Sequence, residues 1–180
     1  MMPLDIKQEI EEALFDLLAI RKSLKAISIA ELSEHAQVSR RTFYRYYRSK
    51  EQVLRAYIDR LMDDYFRQIQ TIELASPEDL IRFFIGYWTR EAERMKVLQE
   101  ANLLGLVPNQ FYKSLPRFRD IIKTAPWHPA KQDQKQLLYD SRYLVGGLYS
   151  ILDEWLREDY PEMGVEEITR LALNASKRMR

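Results

Sequence analysis

The chain has 180 residues, no cysteine, two histidines and five glycines. That composition excludes a disulfide framework, thiolate metal sites, a cysteine nucleophile and a His-rich metal centre, and leaves little room for a Gly-rich phosphate loop. Net charge is +1, but the stretch from Arg40 to Lys50 holds five basic residues and no acid, against a balance of −4 for the rest. Such a cluster is either a footprint for a polyanion or a solvated surface. The start of the chain shows no basic region followed by an apolar one, and no window approaches an uninterrupted apolar span of the length a membrane helix needs. A cytoplasmic protein with no membrane association is expected.

Apolar residues recur at spacings of three and four throughout, so every element reads as a helix. The first runs from about Leu4 to Leu24, with a stripe of Ile6, Ile10, Ala13, Leu14, Leu17 and Leu18. Ser28, with Glu31 three residues on, forms a capping box that starts a short second helix ending near Ala36. Ile27 and Leu32 are its staple. Ser39 caps a third short helix ending near Tyr47, with Val38 and Phe43 as its staple. Ser49, with Gln52 at the capping-box position, opens a long fourth helix. Its apolar pairs are Val53/Leu54, Tyr57/Ile58, Leu61/Met62 and Tyr65/Phe66, followed by Ile69. A stripe that wide packs on more than one neighbour.

Ser76-Pro77-Glu78-Asp79 starts a further helix carrying Leu80, Phe83, Phe84, Tyr87 and Trp88. Pro108, Pro116, Pro126 and Pro129 break the middle of the chain into short pieces. A long helix is expected from about Ala130 to Arg157, stopped by Pro161, and a last one from Val165 to Met179. His128, between two prolines, reads as a loop residue.

Two short helices, a turn around Gln37-Val38-Ser39 and a basic second helix make a helix-turn-helix pattern. A helix fits the DNA major groove, and its N-terminal residues reach base edges. Phe43 and Tyr47 face the core. Arg40, Arg41, Thr42, Arg45 and Tyr46 are left for the outside. An arginine fork matches the two acceptors of a guanine edge, and Tyr44, Tyr46 and Lys50 can reach phosphates.

The stretch Ile29-Ala30-Glu31-Leu32 through Val38-Ser39-Arg40-Arg41-Thr42-Phe43-Tyr44-Arg45-Tyr46-Tyr47-Arg48-Ser49-Lys50-Glu51 resembles the DNA-binding domain of TetR-family transcriptional regulators, over about residues 8–60. The resemblance implies an all-α protein of about nine helices. Residues 1–50 are the helix-turn-helix domain, a fourth helix over 50–72 connects, and residues 73–180 form a dimerisation and ligand domain. It implies a homodimer that binds palindromic double-stranded DNA, with Ser28 and Lys50 on phosphate and Tyr44 near the DNA backbone. Ser39, Arg40, Arg41, Thr42, Arg45 and Tyr46 complete the expected DNA set. Two positions depart from the family: Gln37 stands for the usual turn glycine, and Tyr46 for a frequent histidine. The first asks the turn to tolerate a side chain under strain.

In the C-terminal half, Phe84, Tyr87, Trp88 and Tyr112 line either a ligand cavity or an ordinary helical core. Gly146 and Gly147 lie inside a helix, at a cost of about 1 kcal/mol each relative to alanine. They are tolerated where a neighbour comes close or the helix bends. By resemblance, the last two helices form a four-helix dimer interface, with Gly146, Gly147, Leu148, Ile151, Leu152 and Trp155 divided between core and partner. The leading expectation is a repressor released from DNA by a small-molecule effector. The alternative is a coregulator controlled by a protein partner. No catalytic constellation, metal or cofactor is implied.

Overall fold

The computed structural model describes residues 3–127, 133–160 and 162–178. His128, Pro129, Ala130, Pro161 and Met179, to which the sequence reading gave roles, lie outside the described residues. The fold is all-helical. Among the described residues there are ten α-helices: α1 (Pro3–Arg21), α2 (Ile29–His35), α3 (Arg40–Tyr46), α4 (Lys50–Ile69), α5 (Pro77–Arg90), α6 (Ala92–Glu100), α7 (Leu106–Lys113), α8 (Leu115–Ile122), α9 (Gln134–Glu154) and α10 (Val165–Arg178). A 3-10 turn spans Leu24–Ala26, and a π-helical turn over Trp155–Asp159 follows α9.

Two boundaries depart from the periodicity. The first helix stops at Arg21 and not near Leu24, because Lys22 adopts φ +50° and leaves the helical path. The ninth begins at Gln134, where the Asp133 side chain accepts the Lys135 amide. The middle of the chain is in short pieces as expected, and Pro108 and Pro116 open two of them. They sit in the first turns of α7 and α8, where a missing N–H has no intrahelical acceptor to lose.

The chain divides into two compact units. The first comprises residues 1–61 and 94–104, and the second residues 62–93 and 105–180. In the first, Ile10, Leu14, Leu18, Ile27, Leu32, Phe43, Val53 and Tyr57 are buried. This is the inner stripe of α1, the Ile27/Leu32 staple, Phe43 of the second staple and the start of the α4 stripe, so local helical pattern and tertiary core agree.

In the second unit the core is aromatic. Tyr65 lies at its centre, with ring centroids 5.3 Å from Phe66 and Phe111, 5.1 Å from Tyr87 and 6.1 Å from Trp88. Tyr149 of α9 packs edge-on against Phe84 at 5.0 Å. Edge-to-face pairs at these separations add to the area burial of each ring. Helix α5 packs on α9 and α10.

Candidate nucleic-acid interface

Helix α2 starts with a full capping box: the Ser28 hydroxyl accepts the Glu31 amide at 3.1 Å while the Glu31 side chain returns to the Ser28 amide. Arg21 donates to Glu31 Oε1 at 2.7 Å, and this bond holds the Glu31 carboxyl below its usual range. After His35 the chain turns back in a Schellman arrangement. The Val38 amide donates to the Ser33 carbonyl at 2.9 Å and the Gln37 amide to the Glu34 carbonyl at 3.0 Å. Gln37 occupies the left-handed position of that motif at φ +53°. The turn keeps the glycine geometry without the glycine.

Helix α3 is capped by Ser39, whose hydroxyl accepts the Thr42 amide at 3.0 Å and lies 2.9 Å from the Thr42 hydroxyl. Both groups are therefore committed to shaping the first turn. Phe43 and Tyr47 face inward and are buried. Arg40, Arg41, Tyr44 and Arg45 are exposed, and Tyr46 is half-buried. The Arg45 guanidinium lies over the Tyr46 ring at 5.0 Å, which holds this arginine close to the helix. Arg21, Arg60 and Arg94 of the same unit each face a carboxylate. Arg40, Arg41, Arg45 and Arg48 form no ion pair among the described residues. Arg40, Arg41 and Arg45 thus stand as uncompensated cations on the outer face of one short helix, with Arg48 just past its end, a charge arrangement that suits a polyanion.

Lys50, to which resemblance gave a phosphate role, is also engaged within the chain. Its ammonium donates to the Ile27 carbonyl, and to the Lys25 carbonyl at 3.4 Å. It ties the start of α4 to the segment leading into α2. At Ser49 the expected capping box is altered: the Gln52 amide reaches the Ser49 hydroxyl at 3.3 Å, but the Gln52 side chain accepts from Arg48.

The sequence reading missed the polar bolt beneath α3. Glu11 is only 2% exposed, accepts from the Tyr47 hydroxyl at 3.3 Å and pairs with Arg60. Burial first, and Glu11 second, push the Tyr47 phenol up to about 12. The available signal was a glutamate directly beside Ile10 in the apolar stripe of α1. A second bolt is Arg94, whose guanidinium lies 4.9 Å from the Phe15 ring centroid and 5.1 Å from that of Tyr57 while pairing with Glu12.

The profile of the bacterial regulatory proteins of the tetR family matches residues 18–57, the span from the end of α1 into α4. The chain carries the TetR-family helix-turn-helix. Residues 18–57 are thus of the helix-turn-helix type of that family. A crystal structure of a tetR-family transcriptional regulator from Streptomyces coelicolor is similar with TM-score 0.62 at 16% identity, over 99% of this chain and 82% of that one. The TetR-like fold therefore extends through the C-terminal helices. No curated protein matches this chain.

The expected effector residues lie in the aromatic core of the second unit. Phe84, Tyr87 and Trp88 are buried and in ring contact with Tyr65. Tyr112 is half-buried, under the Arg142 guanidinium at 4.9 Å. A Cβ at Gly146 would come 3.2 Å from the Tyr112 hydroxyl, so this glycine permits a close approach. Of the expected dimer residues, Leu148, Leu152 and Trp155 are buried within the chain itself, and the Trp155 indole donates to the Met163 carbonyl at 3.0 Å. Gly147 is exposed and Ile151 half-buried. The outward side of α9 carries Leu138, Tyr139, Tyr143, Gly147 and Ser150. Among the described residues no helix is long and apolar enough to cross a membrane.

Proposed function

We propose that the protein is a cytoplasmic homodimeric repressor that binds a palindromic DNA operator and is released by a small-molecule effector. The observation that supports DNA binding best is the uncompensated outer face of α3. In this reading Arg40, Arg41 and Arg45 enter the major groove and meet base edges, and Tyr44 and Tyr46 flank them toward the phosphates. Ser28, Ser39 and Thr42 fix the helix starts, whose exposed amide ends favour an anion nearby. Lys50 serves mainly as a strut, its remaining N–H available to a phosphate.

Two such helices need a dimer. Tyr139, Tyr143, Gly147 and Ser150 recur at spacings of four, four and three, the stripe of a helix that meets another helix. Gly147 at the middle of it allows close contact with a second copy. Tyr139 and Tyr143 are 60% and 62% exposed, and rings so placed favour a partner surface. The same exposed rings favour the second reading, a coregulator whose α9 face meets a different protein. Sedimentation of the isolated protein separates the two: a dimer at micromolar concentration supports the first reading and a monomer the second. A purified dimer that fails to retard any selected duplex at about 150 mM salt contradicts the DNA-binding reading.

A further inference from the structure

Three polar atoms in the core of the second unit are buried without a hydrogen-bonding partner: the hydroxyls of Tyr65 and Tyr149 and the indole Nε1 of Trp88. They belong to one cluster. The Trp88 ring is 6.1 Å from Tyr65 and 5.4 Å from Tyr149, and Phe84 and Phe111 each touch both tyrosines. Packing alone does not ask for hydroxyls here, since phenylalanine fills the same space without an unmet donor. Native cores hold few such groups, and three sharing one set of rings is a concentration that chance packing does not explain.

All three orphans are neutral donors. Burial holds both phenols well above their ordinary range, and for Tyr149 the neighbouring Tyr65, Tyr87 and Tyr112 add to it. Neither ionises near neutral pH. Tyr87 is occupied differently, donating to Asp64 Oδ2 at 3.1 Å, and Asp64 is held in turn by Arg67 and Gln68. The cluster thus offers aromatic faces, two O–H donors and one N–H donor. None of these three donors carries a charge; the nearby guanidiniums of Arg142 and Arg117 stand over the rings of Tyr112 and Phe66 at the edge, and Arg117 is paired with Asp63.

We propose that this cluster binds a flat, uncharged, largely apolar molecule with acceptor atoms at its rim, which accept from Tyr65, Tyr149 and Trp88. The proposal rests on the effector reading above and names the chemistry of that effector. Uptake parts rings that touch in the free chain, and the ring of the ligand replaces the contacts they lose. Its acceptors meet donors that are otherwise unmet, so shape alone is not sufficient for binding.

Calorimetric titration of the full chain with coumarin, naphthalene and 2-naphthoate tests this. The three share a bicyclic frame but are neutral with acceptors, neutral without, and anionic. Coumarin is expected to bind about tenfold more tightly than either of the others. Tyr65→Phe and Tyr149→Phe keep the rings and are each expected to weaken coumarin by about tenfold while leaving naphthalene unchanged. Coumarin binding no tighter than naphthalene, or equal coumarin affinity in the phenylalanine variants, overturns the proposal. Operator binding is measured beside it. Coumarin that binds the cluster without releasing DNA keeps the site and removes the release mechanism. An effector that releases DNA equally from the phenylalanine variants keeps release and removes the site.

Discussion

The hydroxyl of Tyr47, the residue that caps the end of α3, donates to the buried carboxylate of Glu11 in α1 at 3.3 Å. With Arg60 from α4 on the same carboxylate, three helices meet at one polar point beneath the candidate recognition helix. A buried carboxylate is tolerable only when paired, so the three residues depend on one another. Their joint effect is to fix where α3 ends, and so how its outer arginines are presented.

That bolt predicts a pH dependence. The folded Tyr47 phenol sits at about 12, above the ordinary tyrosine value of 10.0. A raised folded value means that the folded state holds the proton longer than the unfolded one. Its contribution is therefore complete below pH about 10 and is lost as pH rises toward 12. Urea unfolding of the wild type is expected to show stability falling through that window. In Tyr47→Phe the fall is shallower, and at pH 8 the variant is less stable by about 1 kcal/mol. Parallel curves for the two proteins above pH 10 contradict the assignment.

Gln37 carries a left-handed backbone at a position where glycine has no Cβ to clash. Gln37→Gly is expected to raise the unfolding free energy by about 0.5–1 kcal/mol, part of the gain being offset by the freer unfolded chain. DNA affinity should change little, since the hydrogen bonds of the turn are made by backbone. Chemical denaturation checks the first number and duplex titration the second.

Arg94 combines stacking and pairing that lysine does not reproduce. Its planar guanidinium lies over both Phe15 and Tyr57 and reaches Glu12. Arg94→Lys is expected to destabilise the first unit by about 1 kcal/mol, although net charge is unchanged. A melting temperature equal to that of the wild type would show that charge alone suffices.

Lys50 tells a positioning role from a phosphate contact. Its ammonium is held by two carbonyls ahead of α2, so Lys50→Met should lower the stability of DNA-free protein by about 1–2 kcal/mol. A variant with unaltered stability and a salt slope of DNA binding reduced by about one would assign the residue to phosphate instead.

The fold was legible where the determining interactions are short in sequence. Ser28 with Glu31, Ser39 with Thr42 and Ser76 with Asp79 encode helix starts within four residues, and the structure places caps at all three. The paired stripe of α4 was equally plain, and every named member from Val53 to Ile69 is buried. What stayed hidden depends on distant partners. Glu11 looks like a solvated acid until Tyr47 and Arg60 arrive from 36 and 49 positions away. Lys50 looks like a free cation until the carbonyls of Lys25 and Ile27 are seen beside it. Pro108 and Pro116 marked the short pieces, and what the sequence left open is that each proline sits inside the first turn of its helix. Tyr65 read as one member of the α4 stripe and Tyr149 was not singled out, since periodicity registers a ring and not whether its hydroxyl finds a partner.

The central claim is that the outer face of α3 reads a DNA sequence as part of a dimer. Selection of genomic and random duplexes by the purified protein, at about 150–200 mM salt where nonspecific phosphate binding is weak, tests it most directly. The account predicts enrichment of an inverted repeat whose half-sites lie about one helical turn apart, with enrichment lost in the Arg41→Ala and Arg45→Ala variants. Recovery of no preferred sequence, or of the same sequence by those variants, contradicts it.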